Sequence, residues 1–123
     1  MRMLFVTANN NRKQLEALTN LLLTAFPGSV IYQHIDPLNA PKDVLHNQVD
    51  AVFAEMKMEK MSGIELLHIL HQKNPELPIF LLSDGEDEAG YAVKNGAAAC
   101  LIRPLSAEKL RESLHRAKEV TVG

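Results

Sequence analysis

The chain has 123 residues, 46% of them hydrophobic and 23% charged, with a formal net charge of −2; that is enough for one domain with a substantial core and no need of disulfides or a structural metal. Lysine and arginine are scattered, so the stripe of positive charge that displaces counterions from nucleic acid is missing, and direct nucleic-acid binding by this domain is not expected. A lone cysteine, Cys100, and an N-terminal apolar run too short to span a membrane predict a reducing, cytoplasmic setting without membrane attachment.

In chain order, Met3-Leu4-Phe5-Val6 is the first short, continuous apolar run, the pattern of a strand covered on both faces. Asn11-x-x-Gln14 resembles a capping box, and Leu15, Leu18 and Leu22 follow as one helical stripe until Pro27-Gly28 stops it. Val30-Ile31-Tyr32 predicts a second strand, placed at a sheet edge because polar Gln33 and His34 flank it. Pro41 suits the first turn of a short second helix, where its missing N–H is not needed. Ala51 to Ala54 predicts the third strand. Ser62-x-x-Glu65 is a capping box opening a third helix with Leu66, Leu67 and Leu70 on one side, ending at Asn74-Pro75. Ile79 to Leu82 predicts the fourth strand. Asp84 is expected to cap a fourth helix whose first turn carries Glu86, Asp87 and Glu88, favourable against the helix dipole, and Gly96 ends it. Ala99 to Ile102 predicts the fifth strand, and Ser106 caps a fifth helix with Leu110, Leu114 and Ala117 as its buried stripe.

Short strands alternating with helices predict a right-handed, doubly wound α/β fold: a five-stranded parallel sheet with five helices. The flavodoxin-like order 2-1-3-4-5 places a crevice at the carboxyl ends of strands 1 and 3. No repeat, low-complexity stretch or internal linker interrupts residues 1–123, which therefore read as a single domain. Function is expected on the loops at Thr7-Ala8-Asn9, Glu55 to Gly63, Ser83-Asp84 and Arg103-Pro104.

Those loops carry a resemblance. Val49 to Glu55, followed by Met58, Met61 and Ser62-Gly63-Ile64-Glu65-Leu66-Leu67, is similar to the third strand and following turn of response-regulator receiver domains. Pro78-Ile79-Phe80-Leu81-Leu82-Ser83 resembles their fourth strand, and Asn95 through Leu105 resembles their Gly-Ala…Lys-Pro segment. The likeness covers nearly the whole chain in the right order. It implies a bacterial two-component context and a phosphorelay switch: a kinase donates phosphate to an aspartate ending strand 3, Mg²⁺ sits on an acidic pair after strand 1, a lysine contacts the phosphate, and a hydroxyl and an aromatic residue move together.

Set against that pattern, most working positions depart. The acceptor position holds Glu55, whose longer stem displaces the carboxylate from in-line geometry. The acidic pair falls on Thr7 and Ala8, or on Ala8 and Asn9 if the register slips by one; neither supplies the anionic oxygens Mg²⁺ prefers, so metal binding is expected to be weak or absent. The lysine position holds Arg103, followed by Pro104 in a bond the resemblance implies is cis; its planar fork suits a bidentate pair with Glu55. The switch hydroxyl remains as Ser83, but the switch aromatic is Cys100, and Asp84 adds negative charge beside an incoming phosphoryl group.

The expectation is a pseudo-receiver: a signalling module not phosphorylated in the usual way, acting through protein contacts rather than as an enzyme and without a cofactor. The resemblance points to homodimerisation or output through helix 4, strand 5 and helix 5, about Glu86 to Lys118, with an effector domain joined after Gly123 as one arrangement. One alternative is a receiver still phosphorylated at Glu55 or another residue. Another is a small-ligand sensor using Asn9-Asn10-Asn11, or a flavodoxin-like enzyme; but the chain has no glycine-rich phosphate loop, nucleophile elbow or Ser–His–Asp set. Glu65-x-x-His68 with His71 has metal-pair spacing but reads equally as a solvated helix face, and Met56, Met58 and Met61 read as packing rather than soft-metal ligands.

Overall fold

The computed structural model describes residues 2–122, with side chains described for residues 2–119. Five parallel strands, β1 (Leu4–Ala8), β2 (Val30–His34), β3 (Ala51–Glu55), β4 (Ile79–Ser83) and β5 (Ala99–Ile102), form one sheet in the order β2-β1-β3-β4-β5. The helices are α1 (Arg12–Ala25), α2 (Ala40–His46), α3 (Gly63–Lys73), α4 (Ala89–Lys94) and α5 (Ala107–Val122). This is the flavodoxin-like topology expected from the alternation of runs.

The continuous apolarity of the strands has a direct cause: both faces of the sheet are covered. On one face Val6, Ala8, Val52, Ala54, Ile79 and Leu81 pack with Leu66, Leu67 and Leu70 of α3 and with Ala40 and Ala92. On the other, Phe5, Phe53, Phe80, Leu82 and Leu101 meet Leu18 and Leu22 of α1 and Leu110 and Leu114 of α5. Phe53 and Phe80, partners in the β3–β4 register, stack with centroids 5.0 Å apart, and Phe5 meets Phe53 edge-on at 5.7 Å. Each fully buried phenylalanine contributes about 2–3 kcal/mol, so this cluster is a principal source of stability. Tyr32 lies on the edge strand β2, half-buried, as its polar neighbours indicated. Met58 and Met61 pack against the α3-side core and Met56 is buried in it, which is the packing role expected of them.

Four strands run further than the apolar runs that announced them. Thr7 and Ala8, Gln33 and His34, Glu55, and Ser83 are polar or small, yet each is paired in register with a neighbouring strand. Apolar periodicity sees only the buried part of a strand; the sheet's hydrogen bonds carry it on to the crevice. Caps also divide. Ser62 and Glu65 form both halves of the capping box, and Ser106 accepts from the Lys109 N–H at 3.0 Å. Asn11 accepts from the Gln14 N–H at 3.0 Å, but the Gln14 side chain turns to Asn9 instead of returning. The expected Asp84 cap is corrected: Glu86–Glu88 form a 3₁₀ turn entered from Gly85 without a side-chain cap, α4 begins only at Ala89, and Asp84 pairs with Arg103. The Arg103 guanidinium close by outcompetes a weak cap on a short, glycine-containing helix. Among the described residues no helix is long and apolar enough to cross a membrane.

Candidate functional site

The carboxyl ends of β1, β3, β4 and β5 bring Asn9, Glu55, Ser83 and Arg103 to one crevice. Glu55 is the last residue of β3, and its side chain is only 12% exposed. Such a carboxylate needs partners. Arg103, from the loop after β5 and itself 19% exposed, supplies them with both arms: Nη2 donates to Oε1 and Nη1 donates to Oε2 at 3.1 Å. Nη1 also donates to the exposed Asp84 at 3.2 Å. The hydrogen bond to Glu55 outweighs the effect of burial and raises the Arg103 pKa above its ordinary value, so the guanidinium is held charged. The Arg103-Pro104 bond is cis.

Asn9 completes the surround. It is 4% exposed; its Nδ2 donates to Gln14 Oε1 at 3.0 Å and to Glu55 Oε1 at 3.4 Å, and its Oδ1 accepts from the Asn11 N–H at 2.9 Å. Of the two registers left open after strand 1, it is therefore Asn9 that reaches Glu55. Ala8 is buried and in register with Ala54; Thr7 is fully buried and its Oγ1 has no hydrogen-bond partner. A buried hydroxyl left unpaired carries its desolvation cost uncompensated. Thr7→Val, which keeps the shape and removes the hydroxyl, is expected to raise the unfolding free energy by about 1 kcal/mol, read as a higher urea midpoint at unchanged slope.

Ser83 turns away from Glu55. Its Oγ donates to the Gly85 carbonyl at 3.1 Å, lies 3.4 Å from Glu88 Oε1, and accepts from the Gly85 N–H at 3.3 Å. Cys100 is half-buried on the edge strand β5, and burial, with Glu88 and Glu55 nearby, raises its thiol pKa. A cavity of about 380 Å³ opens beside Glu55, walled by Lys57, Ser83, Asp84, Asp87 and Glu88. Half of its lining residues, Glu55, Asp84, Asp87 and Glu88, are carboxylates.

Two features of the crevice were not legible beforehand. The Gln14–Asn9–Glu55 chain makes the glutamine, expected in a cap, part of the site. Asn10 ties three loops together, accepting from the Glu59 N–H at 2.6 Å and donating to the Ile35 carbonyl at 2.8 Å. Beside it, Lys60 adopts a positive φ of 72° and pairs with Asp36 at 3.0 Å. The asparagine run, read as a candidate small-ligand site, makes its hydrogen bonds to the chain's own loops. Glu65, His68 and His71 do not converge: they bond the Ser62 N–H, Asn95 Oδ1 and the Leu77 carbonyl respectively.

Residues 3–115 match the response regulator receiver domain. The chain belongs to this family. The receiver is 34% identical over 82 residues to the transcriptional regulatory protein ZraR of Klebsiella oxytoca, a match covering 65% of this chain and 18% of that protein. Its match to the regulatory protein LuxO of Vibrio cholerae is 28% identical over 81 residues, covering 64% and 18%. This receiver thus corresponds to 18% of the length of either relative. A crystal structure of a response regulator receiver domain protein from Clostridium thermocellum superposes with a TM-score of 0.85 at 22% identity, covering 98% of this chain and 97% of that one. The fold is that of a two-component receiver, a signalling module, and the crevice described above lies at the carboxyl ends of its strands.

Proposed function

We propose that this receiver transmits a signal through protein contacts without being phosphorylated at the end of β3. The observation that carries this reading is the two-armed Glu55–Arg103 pair, which engages both carboxylate oxygens at the position where the family resemblance calls for a phosphoacceptor. An attacking oxygen must be free and in line with phosphorus; here each faces a guanidinium N–H, and Asn9 crowds Oε1 further.

Electrostatics support the same reading. A phosphoryl donor entering the cavity beside Glu55 meets Asp84, Asp87 and Glu88, and Lys57 is the only cation on that wall. Nor do the residues present fit Mg²⁺. The positions expected to supply its carboxylates hold Thr7, Ala8 and Asn9; the Asn9 oxygen already accepts from Asn11, and what Asn9 turns towards Glu55 is an N–H₂ donor.

Partner contact falls on the face of α4, β5 and α5, about Glu86 to Lys118. There Tyr91 and Val93 stand 59% and 53% exposed, apolar bodies that a second copy or an output domain would cover. Residues 1–123 act in this reading as one domain, with the output either joined beyond Gly123 or on a separate chain.

Intact mass after incubation with acetyl phosphate and Mg²⁺, beside an ordinary receiver, tests the proposal. The expected result is an unchanged mass for this protein and full labelling of the control. A stoichiometric adduct, whether on Glu55 or elsewhere, would overturn it.

A further inference from the structure

At the opposite end of the sheet from Glu55, about 13 Å back along β4, a groove of about 540 Å³ opens between the α3–β4 connection, the start of β5 and the last turns of α5. That volume suits a small molecule. Its body is apolar: Pro75, Leu77, Pro78 and Ala98 line it, with β5 as an open edge strand on one side. Two full charges of opposite sign also line it, Glu76 from the α3–β4 connection and Arg116 from α5. They are not paired with each other, and neither side chain has a hydrogen-bond or ion-pair partner among the described residues. The remaining polar lining is Ser113 and His71. The His71 ring is already held, its Nε2–H donating to the Leu77 carbonyl at 3.0 Å.

An apolar groove carrying one unpaired cation and one unpaired anion on separate elements is complementary to a small zwitterion with an apolar body. We propose that this groove binds a free apolar α-amino acid, with its carboxylate on the Arg116 guanidinium, its ammonium on Glu76, and its side chain over Leu77, Pro78 and Ala98. Arg116 offers the planar fork that matches a carboxylate. Glu76 stands just beyond the C-terminal end of α3, where the helix dipole adds partial negative charge that favours the ammonium. Ser113 is within the same lining to accept or donate a further hydrogen bond. Both charges are needed: a carboxylate alone leaves Glu76 unmatched beside an apolar ligand, and an amine alone leaves Arg116 so. The site is separate from the Glu55 crevice and does not depend on how that crevice is regulated.

The test is a titration of the ¹⁵N-labelled protein with L-leucine, with 4-methylpentanoate and 3-methylbutylamine as the acid-only and amine-only counterparts. Leucine is expected to shift the Leu77, Gly96, Ala98 and Ser113 amides saturably, with each monopolar analogue at least about tenfold weaker, the worth of one lost charge-assisted contact. Arg116→Gln and Glu76→Gln, both exposed positions where folding is not at issue, should each weaken leucine by a similar factor and leave the Glu55 and Asn9 amides unmoved. Absence of saturable shifts up to the solubility of leucine, equal affinity for acid and zwitterion, or indifference to both substitutions would overturn the proposal. Shifts that follow protein concentration rather than leucine would do the same, making the groove a contact between copies.

Discussion

Replacing Arg103 with methionine is expected to lower the unfolding free energy by about 3 kcal/mol, the low end of the cost of stranding one partner of a buried ion pair. The side chains are 19% and 12% exposed, so solvent recovers some but not most of the loss. Glu55 would keep only the 3.4 Å contact from Asn9. Glu55→Met alone is expected to cost less, because the freed guanidinium still has Asp84 at 3.2 Å and lies nearer solvent. The double variant Glu55→Met/Arg103→Met should regain most of the stability, since a well-packed apolar pair often replaces a buried ion pair at little cost. Urea unfolding of the four proteins closes the cycle. A coupling near zero would show that the two side chains hold each other weakly, and the account of Glu55 as a captured carboxylate would fall with it.

A methyl group on Gly63 is expected to do at least as much damage. A Cβ there would lie 2.4 Å from the Glu55 carbonyl oxygen and 3.1 Å from both Met56 Cα and Leu81 Cδ2. The first two are backbone, and that backbone is fixed: the Met56 N–H donates to Leu82 and the Gly63 N–H to Met56, each at 2.9 Å. No rotamer change relieves the clash. Gly63→Ala should therefore cost about 3 kcal/mol or more, the upper range of overpacking. It pushes α3 off the end of β3 at the residue that carries the site, so its effect should not add to that of Arg103→Met. Gly90→Ala provides the contrast. It lies within α4 with nothing within 4 Å of the added Cβ, and alanine there should stabilise by about 0.5–1 kcal/mol through helix propensity. Equal losses at the two glycines would mean that the close approach of α3 to β3 is not what requires Gly63.

The two cases show what the sequence made legible and what it did not. Leu66, Leu67 and Leu70, or Phe53 and Phe80, announce their elements because burial repeats with the period of the element that buries them. The Ser62–Glu65 box was legible because both partners lie within one turn. Glu55 and Arg103 were brought together only through the family resemblance, since 48 residues separate them. Asn9 and Gln14 were read as a degenerate metal position and as part of a cap, yet they form one hydrogen-bonded chain onto Glu55. Asp84 was assigned to a helix cap and went to Arg103, because a local signal has no knowledge of a cation arriving from 19 residues away. Polar contacts across loops leave no period in a sequence.

The small ties at the carboxyl end of the sheet also have a mechanical meaning. Asn10 fastens the loop after β1 to Ile35 beyond β2 and to Glu59 beyond β3; Lys60 adds a third link, from beyond β3 to Asp36 beyond β2. Arg103 then spans from beyond β5 to the end of β3, passing over β4. Together they make a hoop laid across the ends of the strands, closed by side chains rather than by another strand. The opposite end carries fewer such ties among the described residues, Asp50 accepting from the Leu4 N–H at 2.8 Å and pairing with Lys118 at 3.6 Å, so the deepest hydrogen-exchange protection should sit towards Thr7, Ala54 and Leu82, under the hoop, rather than at the sheet's midline.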